Sequence, residues 1–188
     1  MKELLHEHCD NDTDIQLITD SLSLEWDAYD GGEFSDLEYP LRVKSRLPLY
    51  LHENVDEYFS VWYKRLKPLP HVWSFVKDLK KQGIKVYILS NAPVVFADHA
   101  AQCYDIVKEF DGAVYSAPIK MAKPKEDIYR YLFKKYQLNP SDCFFLDDKV
   151  DNIITSQKVG MNGFVFKGDL EPVYEKIDYK SASASKTT

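Results

Sequence analysis

The spacing of apolar positions changes character at about Pro70. Up to that point the pattern is helical, and large aromatic residues such as Trp26, Tyr29, Phe34, Tyr39, Phe59 and Trp62 are set among acids. Val55, Phe59, Trp62 and Leu66 recur at helical intervals and predict one apolar stripe, an arrangement that is far more often core than ligand surface. Ser35-Asp36-Leu37-Glu38 and Asn54-Val55-Asp56-Glu57 both have the spacing of a capping box, so each predicts a helix start, although Pro40 competes with the first. Asp30-Gly31-Gly32-Glu33 is a turn signal.

Past Lys67-Pro68-Leu69-Pro70, helical segments alternate with short apolar runs. Helices are predicted over Val72–Gln82, stopped by Gly83, over about Val95–Lys108, over Glu126–Tyr136 and over Ile153–Val159. Strands are predicted over Ile84–Leu89, Gly112–Tyr115, Cys143–Asp148 and Gly163–Lys167. Strands separated by helices of this length form right-handed βαβ units. The fold class is therefore α/β: a Rossmann-like parallel sheet with flanking helices, plus a small helical cap. The expected organisation is a helical cap region at 1–68, an α/β core at 69–178 and a disordered, Ser- and Ala-rich tail at 179–188.

Composition narrows the setting. A formal net charge of -6 argues against nucleic acid as the main partner. Nowhere are there eighteen uninterrupted apolar residues, so no membrane span is expected and the predicted location is cytoplasmic. Cys9, Cys103 and Cys143 are odd in number and lack CxxC spacing, which predicts buried thiols and no disulfide.

The candidate chemistry begins at the end of the run Cys143-Phe144-Phe145-Leu146, where Asp147, Asp148, Asp151 and Asn152 follow in close order. Ligands in open α/β sheets sit beyond the carboxyl ends of the strands, and two adjacent carboxylates there invite Mg²⁺. The plainer alternative is that Asp151 or Asn152 opens the next helix as a cap. Two further strand ends or loops bring polar groups to the same edge: Ser90-Asn91 and Lys123-Pro124. A hydroxyl and the N–H after it can hold phosphate oxygens, and a lysine can neutralise a transferring phosphoryl group. Ser90 could equally cap the helix after its strand, and a lone exposed lysine is ordinarily a solvated charge.

The segments Leu89-Ser90-Asn91, Lys123 to Tyr129, and Phe144 to Ile153 together resemble the second, third and fourth motifs of the haloacid dehalogenase-like hydrolases. The likeness is to the branch with a small helical cap that includes sugar-phosphate phosphatases, and Glu25 to Ser35 looks like its cap segment. The resemblance implies that Ser90 and Asn91 bind the phosphoryl group, that Lys123 is catalytic in stabilising it, and that Asp148 ligates Mg²⁺ with Asp147 assisting. It places Asn152, with Asp151 beside it, in a supporting position, and implies a small phosphorylated metabolite as substrate. Dehalogenases of the family work without metal and lack the acid pair, so Asp147-Asp148 tilts the expectation to a phosphatase.

Family members begin with an apolar strand ending in Asp-x-Asp, whose first aspartate is the nucleophile. Asp10-Asn11-Asp12 and Asp12-Thr13-Asp14 have the spacing, but Leu4 to Cys9 ahead of them does not read as a buried strand. The expectation is a polypeptide without its nucleophile and with negligible turnover. The missing strand belongs between those ending at Ser90 and Asp148, so these two close up, are bridged by another segment, or await residues ahead of Met1. Open strand edges make homo-oligomer formation possible. The competing expectation is a non-catalytic module that binds phosphate, metal or a protein partner.

Overall fold

The computed structural model describes residues 2–7 and 9–177; the tail expected from residue 179 lies outside them. In chain order the helices and strands are α1 (Lys2–Leu5), α2 (Asp12–Ser23), α3 (Trp26–Asp30), α4 (Glu38–Lys44), α5 (His52–Val61), α6 (Pro70–Lys81), β1 (Tyr87–Ser90), α7 (Val94–Cys103), β2 (Gly112–Tyr115), α8 (Ser116–Ile119), α9 (Glu126–Tyr136), β3 (Phe144–Asp147), α10 (Val150–Lys158), β4 (Asn162–Val165) and α11 (Glu171–Tyr174). The chain divides into two compact units. The first joins the residues up to Pro68 with Ser90–Phe110 and Tyr115–Ala122, segments that the sequence reading assigns to the α/β core. The second comprises Leu69–Leu89, Asp111–Val114 and the chain from Lys123 onward. None of the described helices is long and apolar enough to cross a membrane.

The first unit is a helical bundle around aromatic rings. Asn11 caps α2 by accepting the Thr13 N–H at 2.9 Å, and Ile15, Ile18 and Leu22 turn one buried face inward. The capping box at Ser35 forms: Glu38 Oε2 accepts the Ser35 N–H at 2.9 Å, and Ser35 Oγ accepts the Glu38 N–H at 3.2 Å. The second predicted start is displaced: α5 begins at His52, two residues ahead of Asn54, out of a 3-10 turn over Leu49–Leu51 that follows Pro48. Of the predicted stripe, Val55 and Trp62 are buried and Phe59 is half-buried. Leu66 is exposed, since the helix stops at Val61 and its phase is lost. Tyr29 and Tyr39 stack at 4.3 Å between ring centres, with the Tyr29 hydroxyl on Asp36 and the Tyr39 hydroxyl on the Leu22 carbonyl. Gly32 sits at φ +78°, and a Cβ there would lie 2.6 Å from the Ala117 carbonyl oxygen.

The helix expected to Lys108 ends at Cys103 instead. Tyr104 leaves the helical region with φ -134°, and its hydroxyl accepts the Leu66 N–H at 2.8 Å and donates to the Tyr63 carbonyl at 2.9 Å. Those two bonds fix a bend at Tyr104, after which the chain resumes as a 3-10 helix over Asp105–Glu109.

In the second unit, α6 opens on Pro70 and buries Phe75, Val76 and Leu79. Gly83, at φ +77°, closes it with bonds from Gly83 N–H to the Lys80 carbonyl and from Ile84 N–H to the Leu79 carbonyl. That closure consumes Ile84, so the strand begins at Tyr87 rather than at Ile84. The α9 helix spans the predicted residues, and Tyr136 at its end donates to the Ala113 carbonyl and accepts the Ala113 N–H. Strands β3 and β4 pair in parallel, with Phe145 opposite Gly163 and Asp147 opposite Val165, joined by the crossover helix α10. That helix starts at Val150, three residues ahead of the expectation, so Asp151 and Asn152 lie inside its first turn.

The sheet is divided. Strands β1 and β2 form one ladder, β3 and β4 another, and no ladder links β1 to β3 among the described residues. The two strands expected to flank a gap have therefore not closed up. Phe144, Phe145 and Leu146 are half-buried, where a strand covered by neighbours on both sides would be fully enclosed. The three cysteines are free, and all are half-buried rather than buried as expected.

Candidate active site

Lys123 lies at the meeting point of β1 and β3. Its Nζ donates to the carbonyl of Leu89 at 2.7 Å and to Asp147 Oδ2 at 2.6 Å, and it stands 5.3 Å from the centre of the Phe145 ring. The side chains of Lys123 and Asp147 are 9% and 6% exposed, so the pair is shielded from water. A buried ion pair persists only when its remaining hydrogen-bonding capacity is also met. Here Asp147 Oδ1 accepts the Lys149 N–H at 2.9 Å and the Asn152 amide at 2.8 Å. Burial by itself would raise the Asp147 carboxyl. The Lys123 bond and charge, the Lys149 N–H and the Asn152 amide outweigh it and hold the group below the ordinary carboxylate range.

Local structure explains why these atoms coincide. Strand β3 carries Asp147 to its end, and the turn into α10 brings the Lys149 N–H back onto the carboxylate in an Asx turn. One turn of helix then puts Asn152 under the same oxygen. Asn152 is itself buried, and its carbonyl accepts the Tyr129 hydroxyl at 2.8 Å. Burial, and then the Asp147 charge, push the Tyr129 phenol well above its usual range, which keeps it a donor.

Asp148 has a different fate. Its side chain is exposed, with no hydrogen bond or ion pair to the described residues. The adjacent acids thus divide, one to the lysine and one to solvent, as neighbours along a strand do. Asp151 is exposed in the first turn of α10. Ser90 ends β1 half-buried, its hydroxyl 3.4 Å from the Asn91 carbonyl, and both residues belong to the helical unit. After them, the Ala92 N–H is held by Ser116 Oγ at 2.8 Å, and that hydroxyl donates to the Asp30 carbonyl.

Magnesium is commonly held by one or two carboxylates, with water and substrate oxygens completing its shell. Each Asp147 oxygen is engaged by N–H donors, and no three acidic, His or Cys side chains among the described residues are grouped to hold an ion. The donor set suits an ion shared between Asp148 and substrate oxygens. It does not suit an ion caged by protein alone.

A model of the haloacid dehalogenase-like hydrolase family matches residues 7–160. The chain belongs to the haloacid dehalogenase-like hydrolases. Its curated relatives include phosphatases. Sesquiterpene phosphatase astK of Aspergillus oryzae is 33% identical over 98 residues, which is 52% of this chain and 50% of that protein. Hexitol phosphatase B of Escherichia coli is 23% identical over 92% of this chain and 90% of its own length. Among solved structures, the family enzyme bt-2542 of Bacteroides thetaiotaomicron, in complex with magnesium and inorganic phosphate, matches with a TM-score of 0.70. That likeness has 19% identity and covers 92% of this chain and 89% of the other, so it concerns the fold.

In this hydrolase, the Phe145 ring beneath the lysine, the Leu89 carbonyl, the Tyr129 hydroxyl and Ser116 all escaped sequence reasoning. None has a distinctive residue type or spacing. Only the apolar strand before Asp147 offered a hint, since an aromatic residue two positions earlier points to the same face.

Proposed function

We propose that this hydrolase handles the phosphoryl group of small phosphorylated metabolites in the cytoplasm, as a phosphatase of the family does, with Lys123 facing the phosphoryl oxygens. One observation carries the reading: the Lys123 ammonium is tied to the end of β1 through Leu89 and to the end of β3 through Asp147. A positive charge fixed in advance needs no reorganisation when negative charge builds on a phosphate. Asp147 is then the residue that orients the lysine. Ser90 is bonded directly to Leu89, so chain connectivity alone keeps its hydroxyl and the Asn91 N–H within a residue of the carbonyl that holds Lys123. Those groups take the remaining phosphate oxygens. Asp148 is the carboxylate for Mg²⁺, which when bound would neutralise and orient phosphate oxygens. The phosphatase relatives support this choice of reaction.

The same reading has the 188-residue polypeptide bind a phosphomonoester without turning it over. Among the described residues the first strand is β1. Asp10 and Asp12 are exposed, Asn11 caps α2, and Asp14 accepts the Tyr50 hydroxyl at 2.9 Å. None of these acids stands at a strand end as a covalent nucleophile would. A second reading, a non-catalytic module that binds phosphate or a partner strand, is favoured by the divided sheet, which among the described residues leaves β1 and β3 each with an edge outside any ladder.

Hydrolysis of p-nitrophenyl phosphate in Mg²⁺ tests the proposal. The expected result is no turnover above the buffer rate; turnover that disappears in Asp148→Ala would contradict the assignment of a missing nucleophile.

A further inference from the structure

The Ser116 hydroxyl joins segments that lie far apart in the chain, all within the helical unit. Ser116 opens the short helix α8 and is fully buried. Its Oγ accepts the Ala92 N–H at 2.8 Å and donates its hydrogen to the carbonyl of Asp30, the last residue of α3. Carbonyls in the last turn of a helix have no intrahelical donor, so one from elsewhere is needed where water is kept out. The next residue reinforces both contacts. The Ala117 N–H donates to the Ala92 carbonyl at 3.2 Å, so Ala92, itself buried, is held by both of its backbone groups. Gly32, in the turn that leaves α3, approaches the Ala117 backbone so closely that a Cβ would lie 2.6 Å from its carbonyl oxygen and 2.9 Å from its Cα.

Ala92 stands two residues after Ser90, where β1 ends, and is followed by Pro93, which leads directly into α7. A proline confines the residue ahead of it to extended backbone. The link Asn91-Ala92-Pro93 belongs to no helix or strand, yet it is pinned at Ala92 by Ser116, Ala117 and the Pro93 ring. We propose that Ser116 is a positioning residue for phosphate. Through Ala92 its hydroxyl sets the direction of the Ser90 hydroxyl and the Asn91 N–H, and through Asp30 it makes the turn after α3 order together with them. The inference rests on the phosphate-binding role of Ser90 and Asn91 proposed above. Groups whose directions are fixed before a ligand arrives lose little freedom when it binds. Without the hydroxyl, the buried Ala92 N–H loses its acceptor and the Asp30 carbonyl loses its donor, a state that is relieved by moving one of them toward water. The link gives way first, and Ser90 and Asn91 no longer converge on one phosphate.

Calorimetric titration of inorganic phosphate into the full chain in Mg²⁺, and into its Ser116→Ala and Ser21→Ala variants, tests this. Ser21 is the matched control: it is buried in the same unit, and its hydroxyl donates to the Val43 carbonyl at 3.0 Å. Both variants should unfold at lower urea concentration, but only Ser116→Ala should lose phosphate affinity, by about fivefold or more. Hydrogen exchange gives a second readout on the unaltered protein. Phosphate should slow exchange of the Ala92 amide, and of the Gly32 and Glu33 amides that bond to the Tyr29 and Ala28 carbonyls, by about threefold or more. That slowing is measured relative to the Thr13 amide, which is bonded to Asn11 at the start of α2. Equal phosphate affinity in the unaltered chain and Ser116→Ala, an equal loss in Ser21→Ala, or exchange at the turn that ignores phosphate would overturn this inference alone. Phosphate that fails to bind the unaltered chain overturns the proposed function with it. Should Ser116→Ala not fold, exchange at Ala92 and the turn decides.

Discussion

Replacing Lys123 by Met removes the ammonium while keeping an unbranched apolar side chain in its place. What remains is the Asp147 carboxylate, with a side chain 6% exposed and no compensating charge on Nζ. Breaking a buried pair by removing one partner costs about 3–5 kcal/mol. Asp147 keeps its bonds from the Lys149 N–H and the Asn152 amide, so the loss should fall at the lower end, about 3 kcal/mol near pH 7. The pH dependence distinguishes this cause from lost packing. In the unaltered protein the folded carboxyl lies below its ordinary value, so its contribution is complete above the unfolded pKa of roughly 3.9 and is lost as pH falls through the lower folded value. In Lys123→Met, burial is no longer opposed by the ammonium and the carboxyl moves upward, so acidification relieves the variant. Urea unfolding at pH 7 and near pH 4 should give a gap between the two proteins that narrows markedly at the acid end. A gap below about 1 kcal/mol at pH 7, or one that ignores pH, would refute the reasoning.

Three glycine substitutions report on the turns and strand that frame the two units. Gly32→Ala meets both a left-handed backbone and the Ala117 carbonyl 2.6 Å from its new Cβ, and should cost about 3 kcal/mol. Gly83→Ala has the same backbone demand but open space, and should cost about 1 kcal/mol; equal shifts in urea midpoint would contradict the steric assignment. Gly112→Ala places its Cβ 2.3 Å from the ring of Tyr136, which its two bonds to Ala113 hold in place, so a loss of about 1–3 kcal/mol is expected by thermal unfolding.

Much of the fold is legible in the sequence, for reasons that differ by element. The four strands stand out because their apolar runs are bounded by polar or turn residues, and α9 because Ile128, Tyr129, Leu132 and Phe133 repeat at helical spacing. The errors sit at boundaries where a tertiary bond decides. Tyr104 ends its helix through bonds to Tyr63 and Leu66, residues some forty positions away. At Ile84, the helix closure at Gly83 takes the N–H that a ladder would need. The site was legible by type and illegible by pairing. The sequence offered two adjacent aspartates as one acid pair; the structure binds Asp147 to a lysine 24 positions earlier and leaves Asp148 to solvent. No spacing rule connects Lys123 to Asp147, since their meeting depends on which strands flank the divide in the sheet.

The central claim is that Ser90, Lys123 and Asp148 act on one phosphate. Titration of inorganic phosphate into the protein, with and without Mg²⁺, tests it most directly. The account predicts binding that Ser90→Ala and Lys123→Met each weaken about tenfold or more, and a Mg²⁺ enhancement that Asp148→Ala abolishes. Phosphate binding that is equally tight in all three variants, with the same response to Mg²⁺, would contradict it.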